Sequence, residues 1–261
     1  MFAKAGAERV ILLGRNATKT QGVADSINAE VSEKRATVVP CDLGEIASVR
    51  GAATSVLALG VPIHILLNNA GIGFTPERMV TKDGLEAQFG TNHVGHFLLT
   101  NLLTQALVAG APSRVVNVSS KAHMYGPPDM TDLNWERSYA EGRSYGASKS
   151  CNILHAIALQ SRFDKLSEDE ATGVRVTACS LHPGVIETEL WRHNSLDNKP
   201  FSANKTVEMG AATSVFCAVA PHITGGGYYE DCQLSSAHSF ATDAALAEQL
   251  WTATEAIIST L

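Results

Sequence analysis

Short apolar runs rich in β-branched residues alternate with longer helical patterns along this whole chain, and that alternation constrains the fold more than any single motif. The strand candidates are Val10–Leu13, Ala36–Cys41, Ile63–Leu67, Arg114–Val118, Val174–Ser180 and Gly227–Glu230. Most are near-continuous hydrophobic runs, the pattern of parallel strands covered on both faces. Helical patterns lie between them at Thr18–Glu30, Ile46–Leu59, Lys82–Val108, Arg143–Phe163, Val207–Val219 and Asp243–Ile258. Such alternation specifies an α/β fold with a doubly wound parallel sheet. No Pro-, Ser- or Gly-rich linker and no internal repeat divides the 261 residues, so residues 1–261 read as a single domain.

Composition narrows the function classes. A 45% hydrophobic chain with 18% charged residues can bury a core. Its net charge of −6 argues against a nucleic-acid partner. The five cysteines are odd in number and none sits in a CxxC pair. A disulfide scaffold or structural zinc is therefore not expected, and a reducing, cytoplasmic setting is. Two long stretches lack Asp, Glu, Lys and Arg, Gly51 to Pro76 and Gln88 to Ser113. The first carries Asn68 and Asn69, the second Asn92, His93 and His96, too polar for lipid, so no membrane span is expected in this chain. Its start shows no signal-peptide pattern, and N-terminal targeting or anchoring is not legible from it.

Two irregular segments, Ser119–Gly142 and Glu187–Asn204, follow strand candidates at the expected carboxyl edge of the sheet, where open α/β folds bind ligands. They read as substrate-facing loops. Between them lies Tyr145-Gly-Ala-Ser-Lys149, a phenol and an ammonium one helical turn apart on a shared face. A phenol titrates near pH 10, and lowering it by about three units takes roughly 4 kcal/mol. An ammonium about 4 Å away, at an effective dielectric of about 20, supplies energy of that order. The pair can serve as a general acid/base. On its own the spacing arises by chance on many helices.

The pair has company. Asn68-Asn-Ala-Gly71 closes one strand, and Asn92 lies in Thr91-Asn-His-Val-Gly-His96 within the next helix. Asn117-Val-Ser-Ser120 closes another strand and His182-Pro-Gly184 a third, followed by Thr188. In order and placement these motifs resemble the classical short-chain dehydrogenase/reductase family over essentially the whole chain. Asp83-Gly-Leu-Glu, Asn152-Ile-Leu154 and Leu181-His-Pro-Gly184 are most similar to its retinol-dehydrogenase-like branch. The resemblance implies a Rossmann-like doubly wound sheet and an NADP(H)-dependent interconversion of carbonyl and alcohol. Tyr145 would be the acid/base, with Lys149 lowering its pKa and holding the cofactor ribose. Ser120, rather than Ser119, would bond the reacting carbonyl, and Asn92 would anchor a water leading from Lys149 to solvent. Asn69, Ala70 and Gly71 would pass beside the adenosine ribose, and Pro183, Gly184, Val185 and Thr188 would cradle the nicotinamide end. The Ser120–Tyr145 separation of 25 residues exceeds the common family spacing, in keeping with the branch.

Cofactor choice turns on Arg15, just after the strand Val10–Leu13. An arginine there can pair with the 2′-phosphate of NADP where an acid would repel it, with Asp42 and Leu43 against the adenine. The alternative is a solvated surface arginine. One expected element is missing: the first strand and its Gly-rich turn, since the chain opens at Met1-Phe-Ala-Lys-Ala-Gly-Ala-Glu-Arg-Val10, which resembles the end of the following helix. In a sheet ordered 3-2-1-4-5-6 that strand is central, and its absence leaves its two neighbours about 9.6 Å apart with unpaired ladder groups. Three readings follow: an N-terminally truncated form of an active enzyme, an interaction or regulatory protein that has lost cofactor binding, or a rearranged sheet that still binds NADP(H).

The remaining signals are bland. His93 and His96 are three apart on a helix with no third ligand, so no metal is expected. Ser180 and His182 lack the GxSxG turn of a hydrolase. Residues Ala122–Arg143 and Leu190–Asn204 carry the aromatic and apolar side chains of a pocket for a small lipophilic carbonyl or alcohol substrate. The long helices Lys82–Val108 and Arg143–Phe163 would form the interface of a homodimer, as the family resemblance implies.

Overall fold

The computed structural model describes residues 1–169, 175–193 and 203–261; Val174, and Pro200 with the rest of 194–202, lie outside them. In chain order the elements are β1 (Val10–Gly14), α1 (Ala17–Val31), β2 (Ala36–Pro40), α2 (Ile46–Leu57) and β3 (Ile65–Asn68). A rod then runs through α3 (Ala87–Phe89), a π-helical turn (Gly90–Val94) and α4 (Gly95–Ala109). There follow β4 (Ser113–Val118), α5 (Glu141–Asp169), β5 (Val176–His182), α6 (Val207–Val219), β6 (Tyr228–Glu230), β7 (Gln233–Ser235) and α7 (Ala244–Ser259).

Local chemistry sets most boundaries. Asn16, Thr206 and Asp243 cap α1, α6 and α7 by accepting from backbone N–H groups of the first turn. The helix expected from Lys82 instead begins at Ala87. Asp83 is turned back to accept from Ile46 N at 2.7 Å, capping α2, while the Glu86 carboxylate accepts from Gln88 N and Phe89 N at 3.0 and 2.7 Å. Both carboxylates serve orphan helix donors, which an uninterrupted helix would forbid.

The strands β3, β4, β5 and β6 pair in parallel, and the short β7 adds antiparallel to β6. Strand β1 pairs with β2 alone. Among the described residues no strand joins β1 to β3, so the ladder is divided where the sequence predicts a gap. One face still packs as a unit: Ile11 and Leu13 of β1 share a cluster with Leu66 of β3, Val115 of β4 and the inner faces of α2 and α4. On the other face Phe2 packs with Ile65 and Leu67 of β3. Residues 1–7 are turns, and Arg35 donates to the carbonyls of Ala3 and Ala7 at 3.3 and 3.2 Å.

The division leaves a gradient of burial. Every residue of β1 is half-buried, whereas all but Arg114 of β4 and all but Thr177 of β5 are buried. A two-stranded ladder with an open edge opens more readily than a fully covered one. Hydrogen exchange of the amides in β1 and β2 is therefore expected to be at least about tenfold faster than in β4 and β5. Equal protection across both ladders, read by mass spectrometry, would contradict a sheet in two parts.

Candidate active site

The carboxyl ends of β3, β4 and β5 and the first turns of α5 meet at one place. Ser119 and Ser120 leave β4, and Tyr145 and Lys149 face them from α5. Ser119 is fully engaged, its hydroxyl donating to the Lys149 carbonyl at 2.7 Å, which ties α5 to the strand end. Ser120 accepts from Ala122 N at 3.1 Å and hydrogen-bonds the Tyr145 phenol. The 25-residue separation is absorbed by Lys121–Tyr125, a 3-10 turn laid on α5 at Gly146. A Cβ at Gly146 would stand 2.4 Å from the Ala122 carbonyl oxygen, so only glycine lets the turn approach.

Lys149 is buried, and its ammonium donates to the Val118 carbonyl at 3.1 Å, an oxygen that Asn152 Nδ2 also reaches at 3.0 Å. The adjoining strand end is braced by asparagines: Asn68 Nδ2 donates to Asn117 Oδ1 at 2.8 Å and to Thr100 at 3.0 Å. Asn92 sits in the π-helical turn, a departure from α geometry of the kind found at functional sites. Its amide brackets the backbone of Ile72, accepting from the N–H and donating to the carbonyl, both at 2.9 Å, and reaches Ser148 at 3.0 Å. The expected water anchor is a clamp here. The Asn92 carbonyl is itself bonded by His96 Nδ1 at 3.0 Å.

The remaining expected residues distribute along the same edge. Gly71 is enclosed by Asn92 and Lys149, while Asn69 and Ala70 are exposed. Gly184 has φ +100° and lies under the aliphatic stem of Lys205, whose ammonium pairs with Asp231; Pro183 and Val185 flank it, half-buried. Thr188 is exposed and caps the 3-10 turn Glu189–Trp191. Arg15 is exposed at the carboxyl end of β1. Leu43, expected against an adenine, instead packs into the core at Gly95, and Asp42 closes its own turn by accepting from Gly44 N at 3.0 Å.

The sequence reading missed the aromatic cover. Phe74, at φ +56°, lies 4.4 Å from the Tyr145 ring and stacks at 4.8 Å on Trp191, centroid to centroid. Trp191 donates from Nε1 to the Ile186 carbonyl at 2.9 Å, and the neighbouring Glu189 pairs with Lys19 of α1. Gly73, where a Cβ would come within 2.9 Å of Tyr145, was the available signal. The first irregular segment is also more scaffold than loop. Trp135 is buried, Asn134 Oδ1 accepts from Glu86 N at 2.6 Å, and Tyr139 donates to the Thr75 carbonyl at 2.5 Å.

The chain matches the short chain dehydrogenase family model over residues 1–199. It belongs to that family. It is 40% identical to the chloroplastic short-chain dehydrogenase TIC 32 B of Brassica napus, over 93% of this chain and 78% of that protein. It is 38% identical to human retinol dehydrogenase 12, over 93% of this chain and 76% of that protein. A crystal structure of an uncharacterized protein from Mycobacterium paratuberculosis superposes with a TM-score of 0.75 at 32% identity, covering 96% of this chain and 84% of that one. A short chain dehydrogenase fold in one domain is thus shown. No helix among the described residues is long and apolar enough to cross a membrane.

Electrostatics at the family's tyrosine and lysine depart from expectation. Burial pushes the Tyr145 phenol up to about 12, against the Ser120 hydrogen bond that holds it down, and Lys149 is not among the groups that lower it. The ammonium lies 5.7 Å from the ring centroid and is directed at the Val118 carbonyl. Lys149 itself is pushed down to about 8 by burial. Burial also holds His93 and His96 down, to about 3 and about 4, so neither is charged at neutral pH. Each is already bonded, to Thr254 at 3.0 Å and to Asn92.

The lysine shift has a consequence for folding. Its folded pKa of about 8 lies below the ordinary 10.5, so between these values the unfolded chain holds the proton and the folded chain does not. Stability rises with pH across that window, and at pH 7 the buried ammonium opposes folding by about 3 kcal/mol. Lys149→Met leaves the Val118 carbonyl bonded to Asn152. The variant is expected to be more stable at pH 7 by up to that amount, with a smaller gain at pH 9.5, by urea denaturation. The same gain at both pH values would count against a depressed lysine.

Proposed function

We propose that this short chain dehydrogenase interconverts a carbonyl and an alcohol on a small lipophilic substrate, with NADP(H) as its cofactor. The observation that carries the reading is the convergence of Ser120, Tyr145 and the buried Lys149 on one point at the carboxyl edge of the sheet. The residues fit the two ends of the cofactor. Lys149, beside Gly71, would hold the ribose hydroxyls, with Asn69 and Ala70 passing the adenosine ribose. Arg15 would pair with the 2′-phosphate, Asp42 would lie near the adenine end, and Pro183, Gly184, Val185 and Thr188 would line the nicotinamide end. They do not fit its middle: among the described residues no glycine-rich strand-to-helix turn offers backbone amides to a pyrophosphate.

The chemistry that NADP(H) would supply when bound is transfer of a hydride to or from the substrate carbon. Ser120 donates a hydrogen bond to the substrate oxygen, and Tyr145 gives that oxygen a proton on reduction or takes one on oxidation. A phenol at about 12 is protonated at neutral pH and has a proton to give, but as so weak an acid it transfers that proton only where the phenolate is stabilised. The Lys149 ammonium, turned from the Val118 carbonyl to a ribose hydroxyl, would stabilise the phenolate that forms. Asn92 holds Ile72 and Ser148, fixing the floor beneath this pair. Phe74 and Trp191 cover the phenol with apolar surface, which suits a lipophilic substrate that displaces Trp191. A homodimer through the long helices remains an expectation; of the large apolar side chains exposed among the described residues, only Leu166 lies on them.

A second reading, a catalytically impaired relative acting as an interaction or regulatory protein, is favoured by the divided sheet. Fluorescence titration with NADPH separates the two. The enzyme reading gives saturable binding with a Kd of about 100 μM or tighter. It also gives carbonyl reduction that Tyr145→Phe lowers by about a thousandfold at unchanged Kd. Arg15→Glu should weaken NADPH at least about tenfold while sparing NADH. No saturable signal at about 1 mM would establish the second reading instead.

A further inference from the structure

At the amino ends of β4 and β5, opposite the strand ends that carry Ser120 and His182, lies a cavity of about 440 Å³. Its lining includes Arg114, Arg175, Thr177, His222 and Thr224, and among the described residues it includes no carboxylate. In a chain of net charge −6, that concentration of cationic donors runs against the average.

Arg114 is the informative residue. Its Nη2 donates to the Ala220 carbonyl at 2.8 Å, at the carboxyl cap of α6, which fixes the plane of the guanidinium. That contact explains the arginine as a helix cap, but it uses one end of the fork. Nη1 is enclosed by protein and has no hydrogen-bond partner. A buried guanidinium N–H without an acceptor is rare in folded proteins, and a small turn of the side chain would present it to an acceptor in the cavity that Arg114 lines. Other polar groups nearby are already committed, Ser113 Oγ to the Leu107 carbonyl at 2.7 Å and Thr224 N to the Tyr229 hydroxyl at 2.7 Å. The side chains of Arg175, His222, Thr177 and Thr224 have no such partner among the described residues.

We propose that this cavity binds the phosphate group of a small phosphomonoester. A guanidinium with an unused N–H, a second arginine, an imidazole and two hydroxyls match a tetrahedral oxyanion with several acceptor oxygens. The volume exceeds that of phosphate and leaves space for an attached group of drug or nucleoside size. Strand β4 separates the cavity from Ser120 by its own length, roughly 20 Å. Occupancy therefore does not require the enzyme reading.

The test is an amide NMR titration of the full chain with phenyl phosphate, inorganic phosphate and phenol. Phenyl phosphate should give saturable shifts centred on Thr177, His222 and Thr224, with a Kd below about 1 mM. Inorganic phosphate should bind the same amides more weakly, and phenol should leave them unmoved. Arg114→Gln should abolish the response. Because that variant also loses the α6 cap, Arg175→Gln and His222→Gln, on the exposed rim, serve as independent checks, each weakening binding by about fivefold or more. Four outcomes would overturn the proposal: no saturable shift at about 10 mM, shifts centred on Arg15 and Lys149, phenol binding as well as its phosphate ester, or rim variants without effect. A response to phosphatidic acid vesicles but not to phenyl phosphate would likewise replace it with a lipid surface.

Discussion

Burying an amine against the end of a β-strand takes free energy, and at Lys149 the rest of the site is arranged to hold it there. The Ser119 hydroxyl grips the lysine's own carbonyl, Asn152 shares the Val118 carbonyl with its ammonium, and Asn92 and Gly71 wall it from one side. The asparagine pair Asn68–Asn117 ties β3 to β4 just below. With α5 so fixed, Tyr145 one turn earlier has no freedom but to face Ser120. Stability is sacrificed locally for a group whose proton affinity is shifted toward neutrality, to about 8.

The divided sheet sets the contrast. Strands β3 to β6, with α4 and α5, form a covered parallel ladder that positions the acid/base groups. Strands β1 and β2 hold only each other and share the core through α2 and α4. The two parts touch again across the carboxyl edge, where Glu189 reaches Lys19 of α1. Arg15 thus rests at the end of the less covered ladder, and Asn69, Ser120 and Tyr145 follow or face strands of the more covered one.

Much of this was legible in the sequence because it is local. Runs of β-branched residues marked five of the seven strands among the described residues and a tyrosine pair marked β6, and the spacing of Tyr145 and Lys149 survives unchanged on α5. The strand β7 escaped because its three residues carry no apolar run. Contacts between distant segments were not legible. The Glu86–Asn134 bond links residues 48 apart, and the Phe74–Trp191 stack links two loops whose sequences carry no shared period. The contact of Leu43 with Gly95 is another of this kind. Nor does the spacing show that the Lys149 ammonium donates to the Val118 carbonyl.

The account's central claim is that the site is built around an amine removed from water. An NMR titration of the Lys149 side-chain amine, assigned by its absence in Lys149→Met, measures this directly. The account predicts a midpoint near 8, whereas a midpoint at the ordinary 10.5 would contradict it.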